Sequence, residues 1–504
     1  MNRSWCWIVA LATVVPTGCT VGPNYRRPPA VATMPAAYTG AGNLWRVARP
    51  QAGLSKGPWW KMFRDLALNR LEAQATSANQ QLKVAFARFQ KARASADVAR
   101  SGLFPSIGGG YSALRQRNSA HMPLPNTGQA VGHGVTYSNF TVPFDLNYEL
   151  DLWGRVRREI QSARAKLQAE AADLEGARLA IAAEVAADYF TLRALDAEEA
   201  ALQATIAADR KSLELTRHRR TGGLASDLDV AQADTVLKTA ETGVPELSLE
   251  RARFEHALAV LTGRPAPLFH LAGSPLAGHP PIIPPGLPST LLQRRPDIAA
   301  AERRMAAANA NVGVATAAFF PTVELNGLAG FESIDAGTMF TWPSRLWAVG
   351  PSLSLPLFEG GLRRAQLRTA QAAYAEAVAD YRQTVLAAFA EVEDNLAAER
   401  LLAAEQDRAL GALRAAQRQL QLAEHQYRGG LVSYLQVAVA ENVMLQRQIA
   451  LDRLRGERFV AAVALVKSLG GGWRPQSRPR RPASARASTD VPAKTAGLQH
   501  DNAQ

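Results

Sequence analysis

Between Asn139 and Leu152 the chain alternates with a single departure. The even positions Phe140, Val142, Phe144, Leu146, Tyr148, Leu150 and Leu152 are apolar. The odd positions Asn139, Thr141, Asp145, Asn147, Glu149 and Asp151 are polar, and only Pro143 departs from the pattern. A period of two sends successive side chains to opposite faces of a strand, so this segment has one face for oil and one for water. A second run does the same: Trp347, Val349, Pro351, Leu353, Leu355 and Leu357 alternate with Ala348, Gly350, Ser352, Ser354 and Pro356. Two weaker strands are expected after the Phe104-Pro105 and Phe320-Pro321 pairs, from Ile107 to about Arg117 and from Val323 to Phe331. Such strands exceed the usual soluble length of about 5–6 residues and reach the ~9–11 that cross a bilayer. A soluble antiparallel sheet with one wet face would alternate in the same way, but the helices flanking these strands are too long to cover one.

Four membrane-length strands cannot close on themselves. A sheet edge in lipid leaves backbone groups unpaired, and bacterial barrels have at least about 8 strands in even number. Two chains would supply 8 and three would supply 12. A barrel of about 8 strands is filled by its own side chains, so a conduit favours three.

The strands sit inside a duplicated chain. The ten residues Thr221 to Val230 (TGGLASDLDV) read against Arg428 to Val437 (RGGLVSYLQV), position 222 recurring at 429, an offset of 207. The Phe-Pro pairs recur at 216, from 104 to 320, so the copies differ by small insertions. Each copy gives a helix, two strands, a very long helix, a Gly-Gly turn and another long helix. Apolar residues repeat every seven along the long helices: Ile160, Leu167, Leu174 and Ile181 in the first, Leu367, Tyr374 and Tyr381 in the second. That spacing marks a coiled-coil seam. Some 60 helical residues span roughly 90 Å. By themselves the helices would also suit a cytosolic coiled-coil scaffold.

The first twenty residues set the compartment. Arg3 precedes an apolar run from Trp5 to Val15, then Pro16-Thr17-Gly18-Cys19. This has the layout of a signal peptide, and the run is too short to span a bilayer. Gly18-Cys19 resembles a lipobox with Pro16 where leucine is usual; an ordinary secretory signal that contains a cysteine is the other reading. In the lipobox reading Cys19 begins the mature chain and carries S-diacylglycerol and N-palmitoyl groups. The only other cysteine is Cys6, so no disulfide framework is possible.

The expected organisation is a signal peptide at 1–18, an N-terminal extended segment at 19–58, a first repeat at 59–264, a Pro-rich equatorial linker at 265–290, a second repeat at 291–472 and an Arg/Pro-rich tail at 473–504. The formal net charge of +13 is partly concentrated in that tail and otherwise too spread to argue for nucleic acid.

Several motifs carry a family resemblance: Gly18-Cys19-Thr20-Val21-Gly22-Pro23-Asn24-Tyr25, Trp59-Trp60 with Phe63-Arg64-Asp65, Arg294-Arg295-Pro296-Asp297-Ile298 with Ala301-Glu302-Arg303-Arg304, both Phe-Pro pairs, and Tyr427-Arg428-Gly429-Gly430. In their order along the chain they resemble the outer-membrane factor family, the TolC-type efflux ducts, and within it the NodT-like lipoproteins of RND efflux systems. The resemblance covers about residues 19–473. It implies a homotrimer, mainly α-helical, whose chains pool four strands each into a 12-stranded transmembrane β-barrel above a long α-helical barrel. It implies a passive outer-membrane exit duct that docks to a periplasmic adaptor (membrane fusion) protein and an inner-membrane RND transporter, and that is no enzyme.

Site residues follow from both sources. The resemblance makes the Gly-Gly turns a periplasmic gate and adaptor tip, comprising Gly222, Gly223, Ser226, Asp229, Tyr427, Gly429, Gly430, Ser433, Leu435 and Gln436. Simple helix termination by glycine reads the same residues without a partner. Leu435 matches an apolar constriction ring. Gln436 and Val439 stand where the family often places acids, a departure from the pattern of an acidic gate. Asp145, Asn147, Glu149 and Asp151 are expected to face the pore, either biasing it toward cations or merely wetting it. Trp153 and Phe358 are expected at the membrane interface. Arg217, His218, Arg219 and Arg220 end a helix, where cations suit the dipole.

No catalytic or metal constellation is found. The eight histidines form no HExxH, and P-loop and GxSxG motifs are missing. Cofactors other than the Cys19 lipids are not expected. Two alternatives keep part of this reading: the exit duct of a type I protein secretion system, and an envelope lipoprotein scaffold without a pore.

Overall fold

The computed structural model describes residues 20–31, 33, 38, 58–121, 133–283 and 294–471. The signal sequence, Cys19, part of the linker and the tail therefore lie outside the described residues. The first repeat comprises helices α1 (Leu66–Ala78) and α2 (Gln80–Ser101), strands β1 (Ser106–Gly109), β2 (Ser112–Arg117) and β3 (Thr136–Glu149), then helices α3 (Arg155–Thr221) and α4 (Asp227–Leu261). The second comprises α5 (Pro296–Ala317), β4 (Thr322–Ser333), β5 (Arg345–Ser354), α6 (Leu362–Arg428) and α7 (Tyr434–Ser468).

The duplication is kept to the residue. Helices α3 and α6 are each 67 residues long, and α4 and α7 are each 35. At 1.5 Å per residue the long pair extends about 100 Å. All four boundaries recur at the offset of 207, whereas α2 recurs as α5 at 216. The extra residues of the first copy therefore lie in its strand hairpin.

All strand pairs are antiparallel, in the order β1/β2, β3, β4, β5. β1 and β2 hold one register against β3, Ser106 opposite Asn147 and Ser112 opposite Thr141, so they are one strand with an interruption. The cause is Pro143, which has no N–H to give the ladder. Only the Gly110 N–H reaches across there, to the Pro143 carbonyl at 3.0 Å. On the other side Gly330 faces Pro143, and a Cβ at 330 would stand 2.1 Å from the Val142 carbonyl oxygen. Glycine is required at that crossing.

The register sorts the faces as the alternation demands. Phe140, Val142, Phe144, Leu146 and Tyr148 share one side with Val323, Leu325, Ala329 and Phe331. Trp347, Val349, Pro351 and Leu353 continue that side on β5. The other side carries Asn139, Thr141, Asp145, Asn147 and Glu149 with Glu324, Asn326 and Glu332. Among the described residues no strand lies beyond either outer edge, β1/β2 or β5.

The long helices bury much of the expected seam, but Leu167, Leu367 and Tyr374 are only half-buried. Ile160, Leu174, Ile181, Val185, Leu192, Ile206 and Leu213 are buried on α3, as are Tyr381, Val385, Val392 and Leu413 on α6. Small residues let helices meet closely: a Cβ on Gly456 of α7 would lie 2.5 Å from the Ala194 Cβ of α3. Helix α5 lies between α3 and α6 and is buried along much of its length. Its repeat partner α2 packs chiefly on α3 and buries only Ala96. The start of α6, from Leu362 to Val378, packs on one side only and has no fully buried residue. The helical layer thus has two open flanks, as the sheet has two open edges.

The main core lies where α1, α3 and α7 meet. Phe190 stacks within 4.9 Å of Phe63 and 4.6 Å of Phe459. Asp65 caps α1 through Ala67 and Leu68 N–H and accepts the Tyr189 hydroxyl at 2.6 Å. The N-terminal segment is strapped over α3 and α5. Arg158 donates to the Val21 and Gly22 carbonyls, Asn309 to the Pro23 carbonyl, and Gly22, with φ of 86°, lies against the Gly313 backbone.

Candidate functional site

The polar face of the sheet is the first candidate. Asp145 and Asn147 are exposed on it. Asn139 donates to Glu332 at 2.9 Å and Asn326 to Ser352 at 2.8 Å. Glu149 sits directly opposite Glu324, a like-charge pair that would be unfavourable alone. Arg155, in the first turn of α3, relieves it by gripping both Glu149 oxygens.

Asp151 departs from the expectation. β3 ends at Glu149, and Asp151 turns to the start of α3, where its carboxylate accepts the Val156 and Arg157 N–H groups and the Arg157 guanidinium. A carboxylate is favourable at a helix N-terminus, and that local attraction overrides the period-two pattern. Trp153 stacks on Phe320 at 4.8 Å and donates to the Pro321 carbonyl at 2.8 Å, fixing the junction between the strands and the helices. Phe358 is fully offered to the outside on the same end of the sheet.

The two helix turns are the second candidate. Gly223 and Gly430 take φ of 69° and 73°, the left-handed conformation that glycine tolerates best. Leu224 and Leu431 N–H bond back to the Arg219 and Gln426 carbonyls, closing each turn. The two copies then diverge. Ser226 and Asp229 form a reciprocal capping box, and the Ser226 hydrogen bonds hold the Asp229 carboxyl below its ordinary range. In the second copy the equivalent residue is Gln436, and Ser433 caps α7 with no side-chain bond.

Tyr427 does not lie on the tip's outer surface. It is buried, edge-on to Tyr434 at 5.5 Å, with the Arg219 guanidinium 4.5 Å over its ring and bonded to its carbonyl at 3.1 Å. Tyr434 in turn accepts from Ser212 at 3.0 Å. These contacts tie the end of α3 to the second turn. Arg217 and Arg220 pair with Asp234 and Asp227 of α4. Leu435 is 46% exposed, on the flank of the face that buries Tyr434, Val437 and Ala438, and Val439 continues its stripe one turn on.

Two clusters escaped the sequence reading. Above the tip a cavity of about 450 Å³ between α3, α4 and α7 is lined by Glu198, Thr205, Asp209 and Glu441 among others. Burial and the neighbouring Asp209 push the Glu441 carboxyl well above its ordinary range. Nearer the middle of the chain, Asp196 accepts from Arg193 and Arg251, each at 2.8 Å, and from the Ser274 N–H at 2.9 Å. Only the i,i+3 spacing of Arg193 and Asp196 was visible beforehand; Arg251 and Ser274 arrive through the fold.

Among the described residues no group of three His, Cys, Asp or Glu side chains is placed to hold a metal ion. No helix of the described residues is long and apolar enough to cross a membrane.

Comparison with known proteins places this geometry. The family model for outer membrane efflux proteins matches residues 71–264 and 287–471, one match for each repeat. The antibiotic efflux pump outer membrane protein ArpC of Pseudomonas putida is 34% identical over 494 residues, 96% of this chain and 98% of its own length. The solved outer-membrane channel OprN is 34% identical with a TM-score of 0.82, over 91% of this chain and all of that one. The CmeC outer membrane channel of Campylobacter jejuni superposes with a TM-score of 0.84 at 26% identity, over 91% and 96% of the two chains.

Proposed function

The chain belongs to the outer membrane efflux protein family and is the outer-membrane channel component of an efflux pump, and from that premise we propose how its parts make the duct. Three copies join β5 of one to β1/β2 of the next, giving 12 strands with the apolar faces in lipid and the Asp145, Asn147 and Glu324 faces on water. The observation that carries this reading is the four-stranded sheet with one apolar face and both edges open. Open edges in hydrocarbon would leave backbone groups unpaired, so closure is required. The uncovered flanks of α2 and α6 close the helical barrel at the same seams.

The helices then hang in the periplasm with the Gly-Gly turns at the inner end. There the tips meet a periplasmic adaptor and, through it, an inner-membrane RND transporter. The channel makes no bonds and is a passive path for small organic molecules; antibiotics are what the relative ArpC is named for. Leu435 narrows the inner end. It lies on an exposed apolar stripe, and its helix α7 begins without the side-chain cap that locks α4. Reconstituted protein should conduct in planar bilayers, and Leu435→Ala should raise the closed-channel conductance. No conductance from the assembled protein would sink the duct, and an unchanged value in the variant would remove Leu435 from the constriction.

Cys19 is the lipid anchor. Thr20, the next residue, lies against Gly154 at the lower end of the strands, and the Val21 N–H bonds the Trp153 carbonyl at 3.0 Å. That position sets Thr20 beside the Trp153 end of the strands, so acyl chains on the preceding cysteine would enter the inner leaflet. Radiolabelled palmitate should mark the wild type and spare Cys19→Ser. Equal labelling of both would refute the anchor.

A further inference from the structure

The sheet's apolar side does not stay apolar to its top. Register places Arg115 opposite Ser138 and Arg117 opposite Thr136, which share a face with Phe140. Arg345 stands opposite Phe331, on the same face as Val142. All three arginines are exposed and lie at the end of the strands away from the helices. Among the described residues none of them is ion-paired to a carboxylate. The segment 118–135 that joins β2 to β3 contains no Asp or Glu at all. The acids of this end are engaged elsewhere: Glu332 is on the opposite face, bonded by Asn139, and Asp335 accepts the Gly337 N–H at 2.9 Å.

The surroundings suit a membrane surface. The Arg345 guanidinium is stacked 3.4 Å over the Trp342 ring, which fixes its plane while leaving its N–H edges free. Trp342, Phe340 and Trp347 are widely exposed around it, a second aromatic collar at the end of the strands opposite Trp153. Arg345 and the Arg115–Arg117 pair lie on the two open edges of the sheet, so closing the trimer brings the edge that carries Arg345 in one protomer against the edge that carries Arg115 and Arg117 in the next.

We propose that these arginines form three cationic clusters, one at each protomer seam, that bind the phosphate groups of phosphorylated glycolipid in the outer leaflet. Guanidinium groups grip phosphate through paired N–H donors, and the aromatic collar beneath meets the acyl boundary. Bound lipid bridges two protomers, so the clusters also fasten the seams. The proposal rests on the duct reading, with the strand loops outward.

The test uses the full-length protein purified as the assembled channel. Retained lipid is measured with diphosphoryl lipid A and with the same lipid A chemically dephosphorylated. Wild type should retain the phosphorylated form and little of the other. At about 5-fold per arginine near an anionic surface, Arg115→Ser/Arg117→Ser/Arg345→Ser should lower retention by roughly 100-fold, while the corresponding lysine variant keeps most of it. Should the triple serine variant not assemble, the single variants Arg117→Ser and Arg345→Ser carry the test, each losing about 5-fold. Equal retention of the two lipids by wild type, or unchanged retention in the assembled serine variants, would overturn the proposal. Conductance of the same samples separates the two readings: a conducting channel indifferent to lipid phosphate defeats the rim alone, and a non-conducting wild type defeats the duct.

Discussion

Val349→Arg should stop the chain from forming a membrane-inserted trimer, while Ala348→Arg, one residue away, should leave assembly intact. Val349 lies mid-strand on β5, 66% exposed in the single chain, on the face shared with Trp347 and Leu353. Ala348 lies opposite Leu328 on the other face of the same strand. An arginine on the lipid side of a barrel at mid-depth costs about 2–4 kcal/mol, and threefold symmetry repeats that cost in every protomer. The same side chain on the water side enters the lumen on the face that carries Asp145, level with it on β3, and costs little. The measurement is the fraction of protein recovered as trimer in outer-membrane extracts on native gels. Equal recovery of the two variants would mean that the faces are assigned wrongly, and with them the barrel.

Asp196→Ala should destabilise the helical region by about 3–5 kcal/mol, the range for removing one partner of a buried ion pair. The network is enclosed: the Asp196 side chain is 3% exposed, with Arg193 at 6% and Arg251 at 15%. Removing the carboxylate takes from the Arg193 guanidinium its only carboxylate partner among the described residues and leaves the Ser274 N–H unpaired in a low-dielectric interior, while Arg251 keeps Glu255 as its one carboxylate partner at 2.8 Å. Arg251 also donates to the Leu271 carbonyl and Arg193 to the Ala272 carbonyl, so the segment after α4 should loosen together with the helices. Denaturant unfolding of the purified trimer measures the loss, and proteolysis should open first near residues 271–274. Asp196→Asn keeps the shape and loses the charge, so it should fall between wild type and alanine. A variant as stable as wild type would show that water replaces the carboxylate and that the cluster is not closed.

The family motifs gain physical reasons from the fold. Asp65 is a helix cap that also holds Tyr189. Arg295 reaches Glu391 at 2.7 Å and the Ser468 carbonyl at 2.8 Å, fastening the start of α5 to α6 and to the end of α7. Tyr25 donates to Glu302 at 2.5 Å, holding the N-terminal strap on α5. Spacing along the chain could not reveal these pairings, because the partners lie 96 to 277 residues apart.

Much of the architecture was legible because its physics is periodic. Alternation along β3 and β5, seven-residue seams on α3 and α6, and paired glycines at both turns are short-range patterns, and each has a local cause that a neighbouring residue satisfies. The duplication supplied topology as well, since two copies of one unit must share their connections. Where a side chain had a competing use, sequence could not choose. Asp151 fits the strand pattern yet sits on a helix terminus, and Tyr427 belongs to a tip motif yet is buried under Arg219. The Asp196 network, the Asp209–Glu441 pair and the arginine rim exist only once distant segments meet. Periodicity is a property of backbone geometry and can be read residue by residue; charge partnership depends on burial and on distance in space, which a linear string does not contain.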